Sequence, residues 1–529
     1  MRTPARPELS RLVGRAWGMT RRRQMGPVEG AGRSRSSDPP RVVVVGAGVA
    51  GMSAAIVLAE RGVPVTVCEA ADRPGGRLSA TPYRLGDGSV QLVDHGFHGF
   101  FRQYYNWRGI LDRIDGGRDL LRPLGSYPVI SHRWPDEEFD RLPPTPPLST
   151  AALVARSPSL RLRDLARADH RVALSMVGFD ARQTYRYLDR TSAADLLDAM
   201  RLPARARATL FNVFAHSFFN DAAAMSAADL VAMFHFYFLG NPEGLGMDAP
   251  RADHQTAIWT PLAEHLTRHG GELRCGTAVA GIHTGRGTRW QVRTVDGSTL
   301  AADRVVLATD VVSAGRILAG SPALTAGDTR LAAVAARPPV GPPYAVARYW
   351  LSGDVAADRA QFTSIGDPGV LDSVTLYHRI DEQAGRWHER TGGAVVELHA
   401  YACPAGVPAD ELGETMRAEL AGFWPEVTGL TVLDRRCHVG TDAAGFPVGG
   451  HPQRPGVRTR LTGVGLAGDW VGVPVPSALM ERAATTGILA ANVVLSGLGG
   501  PVEPVWSVPP RGMLADRWAA QCRRTGAWC

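Results

Sequence analysis

A glycine-rich turn between an apolar strand and a helix constrains this chain more than any other feature of its sequence. Residues 42–45 are four consecutive valines, a run typical of a strand buried on both faces of a parallel sheet. GAGVAG follows at once, with Gly46, Gly48 and Gly51 in GxGxxG spacing. A helical pattern then continues to about residue 61, and a second strand is predicted over residues 63–69.

This βαβ unit has the arrangement of a dinucleotide-binding site. The first two glycines allow the backbone to approach a pyrophosphate closely, and the helix N-terminus adds free N–H groups and partial positive charge. Glu69 ends the second strand, where a carboxylate accepts hydrogen bonds from an adenosine ribose. We therefore expect a cofactor to contact Gly46, Ala47, Gly48, Gly51 and Glu69.

Composition limits the class of protein. The chain has 529 residues, of which 45% are hydrophobic, so it is not disordered, collagenous or coiled-coil as a whole, and two to four domains are expected. All 58 basic residues are arginine. The absence of lysine excludes a Schiff-base enzyme and a phosphate-loop NTPase, since both need a lysine amine.

The net charge of +7 comes mainly from residues 1–40, where nine arginines face three acidic residues. We interpret this segment as a basic disordered tail that can contact anionic lipid. No basic face continues beyond it, so no nucleic-acid partner is expected. Six scattered cysteines without a CxxC pair predict no metal site and a reducing cytoplasm. No run of apolar residues is long enough to span a membrane.

Two further segments identify the dinucleotide. Residues 73–77 read RPGGR, and residues 461–470 read LTGVGLAGDW, ahead of a helix predicted to begin near Pro476 and Ser477. Together with GxGxxG they resemble the flavin amine oxidase and carotenoid desaturase superfamily, which implies FAD. The resemblance places further residues at the cofactor, with Val279 at the adenine: Gly75, Gly76, Arg77, His95, Gly96, Val279, Gly468, Asp469 and Met480.

The resemblance implies an α/β fold, with a Rossmann-like FAD-binding domain of the glutathione-reductase and amine-oxidase type. A mixed-sheet and helical substrate domain is inserted into it. We predict FAD-binding segments at 41–150, 256–312 and 441–498, a helical substrate or membrane-facing region at 151–255, a substrate-domain sheet at 313–440 and a C-terminal tail at 499–529. Strands are expected at 273–282, 304–310, 344–351 and 394–401.

Aromatic residues concentrate where a substrate is expected. Six of the 11 residues at 97–107 are aromatic, as are eight of the 30 at 211–240, against 7% in the whole chain. Aromatic walls with few polar groups suit a long apolar ligand. The predicted substrate contacts are Phe97, Phe100, Phe101, Tyr104, Tyr105, Phe234 and Phe238.

The first aromatic segment carries a closer resemblance. DHGFHGFFRQYYN, residues 94–106, is similar to the corresponding stretch of plant-type phytoene and ζ-carotene desaturases, and closer to that of carotenoid φ-ring synthases (isorenieratene synthases). The latter resemblance implies oxidation of the β-ionone rings of β-carotene to aromatic rings, with one methyl group migrating internally. Because such a polyene substrate dissolves in lipid, we expect a cytoplasmic enzyme on a membrane surface. The choice between a quinone and O₂ as electron acceptor stays open on the sequence.

Several alternatives stay open on the sequence. His98 is the best candidate for a general base, although a hydrogen-bonded histidine that only lines the cofactor pocket is the favoured interpretation. The scaffold also suits an acyclic carotenoid or squalene-type desaturase, a redox-neutral carotenoid isomerase or a non-enzymatic lipid-binding flavoprotein. A flavin amine oxidase is less favoured, because the lysine that many of its members use is absent.

Overall fold

The structure is a computed structural model that describes residues 23–25 and 39–509, apart from 116–119, 126, 140–141, 143–147, 170–171, 174–175, 177, 242, 286 and 288. Most of the predicted tails, 1–40 and 499–529, lie outside the described residues. Within those tails, the backbone of Arg23–Met25 pairs antiparallel with Val505–Ser507.

A five-stranded, fully parallel sheet forms the first layer. Its three central strands read VTVC, VVVV and RVVL, and nearly all of their side chains are buried, as expected where helices cover both faces. The predicted strand at 42–45 is confirmed. The strand predicted at 304–310 forms but ends at Leu307, because Asp310 caps the next helix. Across the sheet the order is Glu272–Arg274, Val65–Cys68, Val42–Val45, Arg304–Leu307 and Val464–Leu466.

Helices pack around this sheet. Val49–Glu60 follows the glycine turn, and every residue of it except Glu60 is buried against the sheet and the helix Leu479–Ser496. The apolar core is therefore continuous from the sheet into both helices. The other helices of this layer are Tyr105–Asp115, Thr260–Arg268, Val311–Ala319, Pro322–Gly327 and Thr329–Ala336.

The single strand predicted over 273–282 is wrong, because the structure divides this segment between two sheets. Glu272–Arg274 ends the parallel sheet, and the chain then turns through Gly276, whose φ is +67°. The next strand, Val279–Thr284, starts an antiparallel sheet with Trp290–Thr294 and Thr299–Ala302. A glycine with positive φ marks the turn that the apolar pattern concealed.

A second sheet, which is mixed and has six strands, forms a separate layer. The predicted strands at 344–351 and 394–401 are confirmed and lie side by side. One face packs on the helix Ala409–Phe423 in its own apolar cluster. In order, the strands are Val432–Gly440, Tyr344–Leu351, Val395–Ala400, Ser373–Leu376, Phe362–Ile365 and Val129–Ile130.

The remaining segments close the space between the two layers. Most of region 151–255 is helical, as predicted. Two of its turns and the turn at its end are π-helical, a form that is frequent at functional sites. In the part of the chain that is described, no helix is both long and apolar enough to cross a membrane. The helices are Leu148–Arg156, Leu162–Leu165, Ala181–Leu188, Ala193–Ala199, Ala204–Ala206, Val213–His216 and Ala227–Phe234, with π-turns at Arg207–Asn212, His235–Leu239 and Gln255–Trp259.

Short strands and one further helix complete the described fold. A hairpin joins Ala80–Arg84 to Val90–Asp94 and leads into the aromatic segment. The other elements are the strands Phe100–Phe101, Met247–Pro250 and Leu121–Pro123, the helix Glu382–Thr391, and the 3₁₀ turns Gly76–Leu78, Tyr377–Arg379, Pro425–Gly429 and His451–Gln453.

Candidate active site

One cavity of about 570 Å³ runs from the carboxyl edge of the parallel sheet to the six-stranded sheet. Val45, Cys68 and Ala308, at or just beyond the carboxyl ends of three neighbouring parallel strands, line its first part. Ligands of open α/β sheets bind at this edge. The cavity therefore joins the predicted cofactor site to the aromatic segments.

The glycine turn shapes the first part of the cavity. Gly46 has a φ of +103°, and a Cβ there would lie 2.8 Å from the carbonyl oxygen of Ala308, so only glycine fits. Gly48 and Gly76 face each other across the lining, where a Cβ on Gly76 would stand 3.7 Å from the Cα of Gly48. These positions leave backbone, not side chains, facing the cavity.

Two of the predicted cofactor residues lie behind this surface. A Cβ on Gly51 would meet the Gly46 carbonyl oxygen at 1.9 Å, so Gly51 allows the helix to pack on the turn. Ala47 is buried and donates its N–H to Glu69 at 2.7 Å. The structure thus places Gly51 and Ala47 outside the cavity lining, while Glu69 remains in it.

Charged side chains are also positioned here. Arg77 lines the cavity and donates to Asp469 at 2.7 Å, which joins the second and third predicted segments although they are far apart in sequence. Gly75, Gly468 and Val279 line the same part. A guanidinium at this place can pair with a phosphate oxygen.

The third segment ends in a helix N-terminus at the cavity. The helix begins at Leu479, which is slightly later than the predicted start near Pro476 and Ser477. Leu479 itself has a φ of +47°, an uncommon value for a branched residue. Met480 and Ala483, within the first five residues of the helix, line the cavity. The partial positive charge of this helix end therefore faces the cavity.

His95 and His98 stand on the segment that crosses the middle of the cavity. His95 donates from Nε2 to the Tyr344 hydroxyl at 2.8 Å, since that hydroxyl itself donates to Asp442. Nδ1 of His98 lies 2.8 Å from the Gly96 carbonyl oxygen and carries the proton of that bond. Burial lowers the pKa of His95 to about 3 and that of His98 to about 4, so both are neutral.

The second part of the cavity is aromatic. The rings pack on one another, for example Phe97 on Phe362 at 5.2 Å and Phe218 on Tyr237 at 5.6 Å between centroids. Such walls leave few polar atoms to hold water. The aromatic residues in the lining are Phe97, Phe101, Tyr104, Tyr127, Phe214, Phe218, Phe219, Tyr237, Phe238, Tyr344, Phe362 and Tyr401.

Three of the seven predicted substrate residues do not reach the cavity. Phe100 is fully buried in a strand pair with Asp248, because neighbouring strand residues point to opposite faces and Phe101 takes the cavity side. Tyr105 begins a helix and lines a separate polar hollow. Phe234 lies between Phe211 and Phe238 and packs the helices together.

A buried polar network on the six-stranded sheet escaped the sequence analysis. Glu397 accepts from Arg348 at 2.7 Å, from the Phe97 N–H at 2.7 Å and from His399 at 2.8 Å. His399 lines the cavity. Polar residues at alternate positions of VVELHAY, residues 395–401, point to one face of a strand, and this alternation was the available signal.

The residues present fit FAD. Two close-set backbone segments at Gly48 and Gly76, a helix N-terminus and Arg77 supply the groups that hold a pyrophosphate. Glu69 supplies the carboxylate for a ribose, and Val279 an apolar contact. The cavity continues from there directly into the aromatic part, so a flavin bound at this end would border the place where an apolar substrate fits.

The family profile of flavin-containing amine oxidoreductases matches residues 49–495. Among solved structures, cyclohexylamine oxidase from Brevibacterium oxydans superposes with a TM-score of 0.62 at 18% identity, over 87% of this chain and all of that one. Putrescine oxidase bound to putrescine gives 0.61 at 18% identity, over 87% and 99%. The chain belongs to the flavin-containing amine oxidoreductase family and is an FAD-dependent oxidoreductase, as predicted.

Two curated relatives show to which group within this family the chain belongs. The chain is 42% identical to a carotenoid phi-ring synthase of Streptomyces griseus over 92% of this chain and 93% of that protein. It is 28% identical to the carotenoid phi-ring synthase of Chlorobaculum tepidum, over 90% and 92%. Within the larger family, it therefore belongs with the carotenoid phi-ring synthases, and the resemblance seen in the sequence is confirmed.

Proposed function

We propose that this enzyme converts the β-ionone rings of β-carotene into aromatic φ rings, with one methyl group migrating within each ring. The observation that carries the proposal is one continuous cavity, which joins the predicted FAD site at Gly48, Gly76 and Arg77 to an aromatic-lined space. The sequence identity of this chain with the Streptomyces griseus protein extends over 92% of the chain and so over both parts of that cavity. A cyclic, apolar end group suits this lining better than a charged amine does.

The chemistry of the ring sets the task for the protein. A cyclohexene becomes a benzene by losing four hydrogens, which leave as two hydrides and two protons. The carbon that bears two methyl groups blocks aromatisation until one methyl moves to the neighbouring carbon, and a cation on that neighbour drives the shift. Proton loss then closes the aromatic ring. Bound FAD supplies the acceptor for the hydrides.

The residues of the chain have three roles in this proposal. Phe101, Phe218 and Phe238 hold the ring and face the developing cation with their electron-rich faces. Their packing excludes water, which would otherwise trap the cation as an alcohol. Arg77 and the helix N-terminus at Leu479 hold the cofactor.

His98 is our proposed acceptor for one of the two protons. It lies in the cavity lining, and the proton on Nδ1 is fixed by the Gly96 carbonyl, which leaves Nε2 as an acceptor. Its lowered pKa makes it a weak base, but a ring cation is a strong acid and needs no stronger one.

We also propose that the enzyme works in the cytoplasm, on a membrane surface, because its substrate dissolves in lipid. The basic segment 1–40 is the proposed contact with anionic headgroups. A variant lacking these residues should partition less onto anionic liposomes and equally onto neutral ones. Unchanged partition onto anionic liposomes would remove this role from the segment.

Purified, FAD-loaded protein tests the reaction by its choice of substrate. β-Carotene mixed in without an electron acceptor should bleach the flavin absorbance, while lycopene, which has no ring, should not. Bleaching by lycopene and not by β-carotene would replace the proposal with an acyclic desaturase. That alternative has support in the 25% identity to the ζ-carotene desaturase of Synechocystis over 51% of this chain.

A further inference from the structure

Two neighbouring strands carry polar side chains at the aromatic part of the cavity. Glu397 and His399 alternate along Val395–Ala400, and Tyr401 follows in the same alternation. Ser373 stands opposite His399 on the next strand. His399 and Tyr401 line the cavity, whereas Ser373 and Glu397 are fully buried behind them. Polar groups on an otherwise apolar wall are costly unless they are paired or used.

These side chains form one continuous chain of hydrogen bonds. The Tyr401 hydroxyl lies 2.8 Å from the Ser373 Oγ, which lies 3.1 Å from Nδ1 of His399. Nε2 of His399 lies 2.8 Å from the Glu397 carboxylate. A carboxylate only accepts, so the imidazole proton is on Nε2 and Nδ1 accepts from Ser373, which in turn accepts from Tyr401. Every bond therefore points from the cavity towards Glu397.

The far end of this chain is an anion. Burial alone raises the pKa of Glu397, but Arg348 and His399 outweigh it and lower that pKa to about 2. Arg348 stands directly opposite Glu397 in the sheet and holds its Oε2 at 2.7 Å. A proton that arrives on His399 would be stabilised beside this carboxylate, as in catalytic histidine–carboxylate pairs.

We propose that Tyr401, Ser373 and His399 form a proton relay that removes a ring proton during aromatisation, an inference that rests on the proposed function. The ring C–H bond breaks and its electron pair becomes a ring double bond. The proton binds the Tyr401 oxygen while the Tyr401 proton moves to Ser373 and the Ser373 proton moves to Nδ1 of His399. Water that enters after product release takes the proton back along the same path.

The geometry assigns separate roles within the relay. Tyr401 is the catalytic residue, because it is the hydroxyl-bearing member of the relay that lines the cavity. His399 also reaches the cavity, but both of its ring nitrogens are already bonded, so a proton reaches it only through Ser373. Glu397 is a positioning residue that fixes the imidazole tautomer. Since each ring loses two protons, the relay is an acceptor in addition to His98.

Two variants, Tyr401→Phe and Ser373→Ala, break the relay at successive hydroxyls. The matched control is Tyr349→Phe, which removes a buried hydroxyl from the same sheet, on the face that packs away from the cavity. For each FAD-loaded protein we would measure the initial rate of flavin bleaching by β-carotene without an acceptor. We would also measure φ-ring carotenoid formed in cells that accumulate β-carotene.

Hydride loss precedes proton loss, so the relay variants should bleach at an initial rate close to that of the wild type. Their φ-ring formation should fall by about 100-fold or more, the contribution of a general base. Tyr349→Phe should keep both. A merely structural role would lower the bleaching rate together with φ-ring formation, and this result would overturn the relay.

Two other results also decide the matter. Relay variants that form φ rings at the rate of Tyr349→Phe would overturn the relay and leave the proposed function standing. If β-carotene does not bleach the flavin of the wild-type protein, the proposed function is overturned, and the relay with it. The wild type thus reports on the function, and the variants report on the relay.

Discussion

The buried pair of Arg348 and Glu397 predicts a large loss of stability in a Glu397→Gln variant. The side chains are 5% and 1% exposed, so removing the carboxylate leaves an uncompensated guanidinium in the sheet. Breaking such a pair costs about 3–5 kcal/mol. The lowering of the Glu397 pKa from 4.5 to about 2 corresponds to about 3 kcal/mol, which agrees with that range.

The same pair predicts how the loss of stability in Glu397→Gln depends on pH. The pKa of Glu397 is lower in the folded state than in the unfolded state, so its stabilisation is fully present above the unfolded value of 4.5. It is lost as the pH falls towards 2. The gap between wild type and Glu397→Gln should therefore be constant near neutral pH and narrow only in acid.

Urea unfolding followed by tryptophan fluorescence gives the difference in free energy of unfolding. The control is Glu426→Gln, which breaks the bidentate pair with Arg359, whose side chains are both 28% exposed. A pair with this much contact with solvent contributes far less than a buried one, about 1 kcal/mol. If Glu397→Gln costs no more than Glu426→Gln, the burial argument for Arg348 and Glu397 is refuted.

Two further variants probe the two parts of the cavity. Gly46→Ala places a Cβ 2.8 Å from the Ala308 carbonyl oxygen and should yield protein without bound FAD after gel filtration, whereas Gly109→Ala, where a Cβ meets nothing within 4 Å, should retain it. Gly46→Ala protein that stays yellow with bound FAD would contradict the assignment of this glycine turn to the cofactor site. Tyr237→Phe leaves the buried Tyr104 hydroxyl without its 2.6 Å hydrogen-bond partner. We expect the free energy of unfolding to fall by about 1–3 kcal/mol. An unchanged urea midpoint would show that this hydrogen bond contributes nothing to stability.

The FAD half of the site could be predicted from the sequence because its signals are local. A buried strand, the turn at Gly46 and the acid at Glu69 stand within one βαβ unit, where spacing alone fixes the geometry. Arg77 and Asp469 are far apart in sequence, and only the resemblance to a known superfamily brought them together before the structure did.

The substrate half was less predictable because aromatic residues also build cores. Phe100 and Phe101 are adjacent and identical in type, yet the strand turns one into the core and the other into the cavity. The relay joins Ser373 to His399 across two strands, and no local pattern gives the pairing of strands. The alternation of Glu397 and His399 was visible, but what they face depends on the layer opposite.

Pigment analysis of cells that accumulate β-carotene and express this chain tests the central claim most directly. Chromatography and mass spectrometry should show carotenoids that have lost four hydrogens for each converted ring while retaining every carbon. This result would establish aromatisation with internal methyl migration. Unchanged β-carotene, in cells whose purified protein carries FAD, would contradict the proposed function.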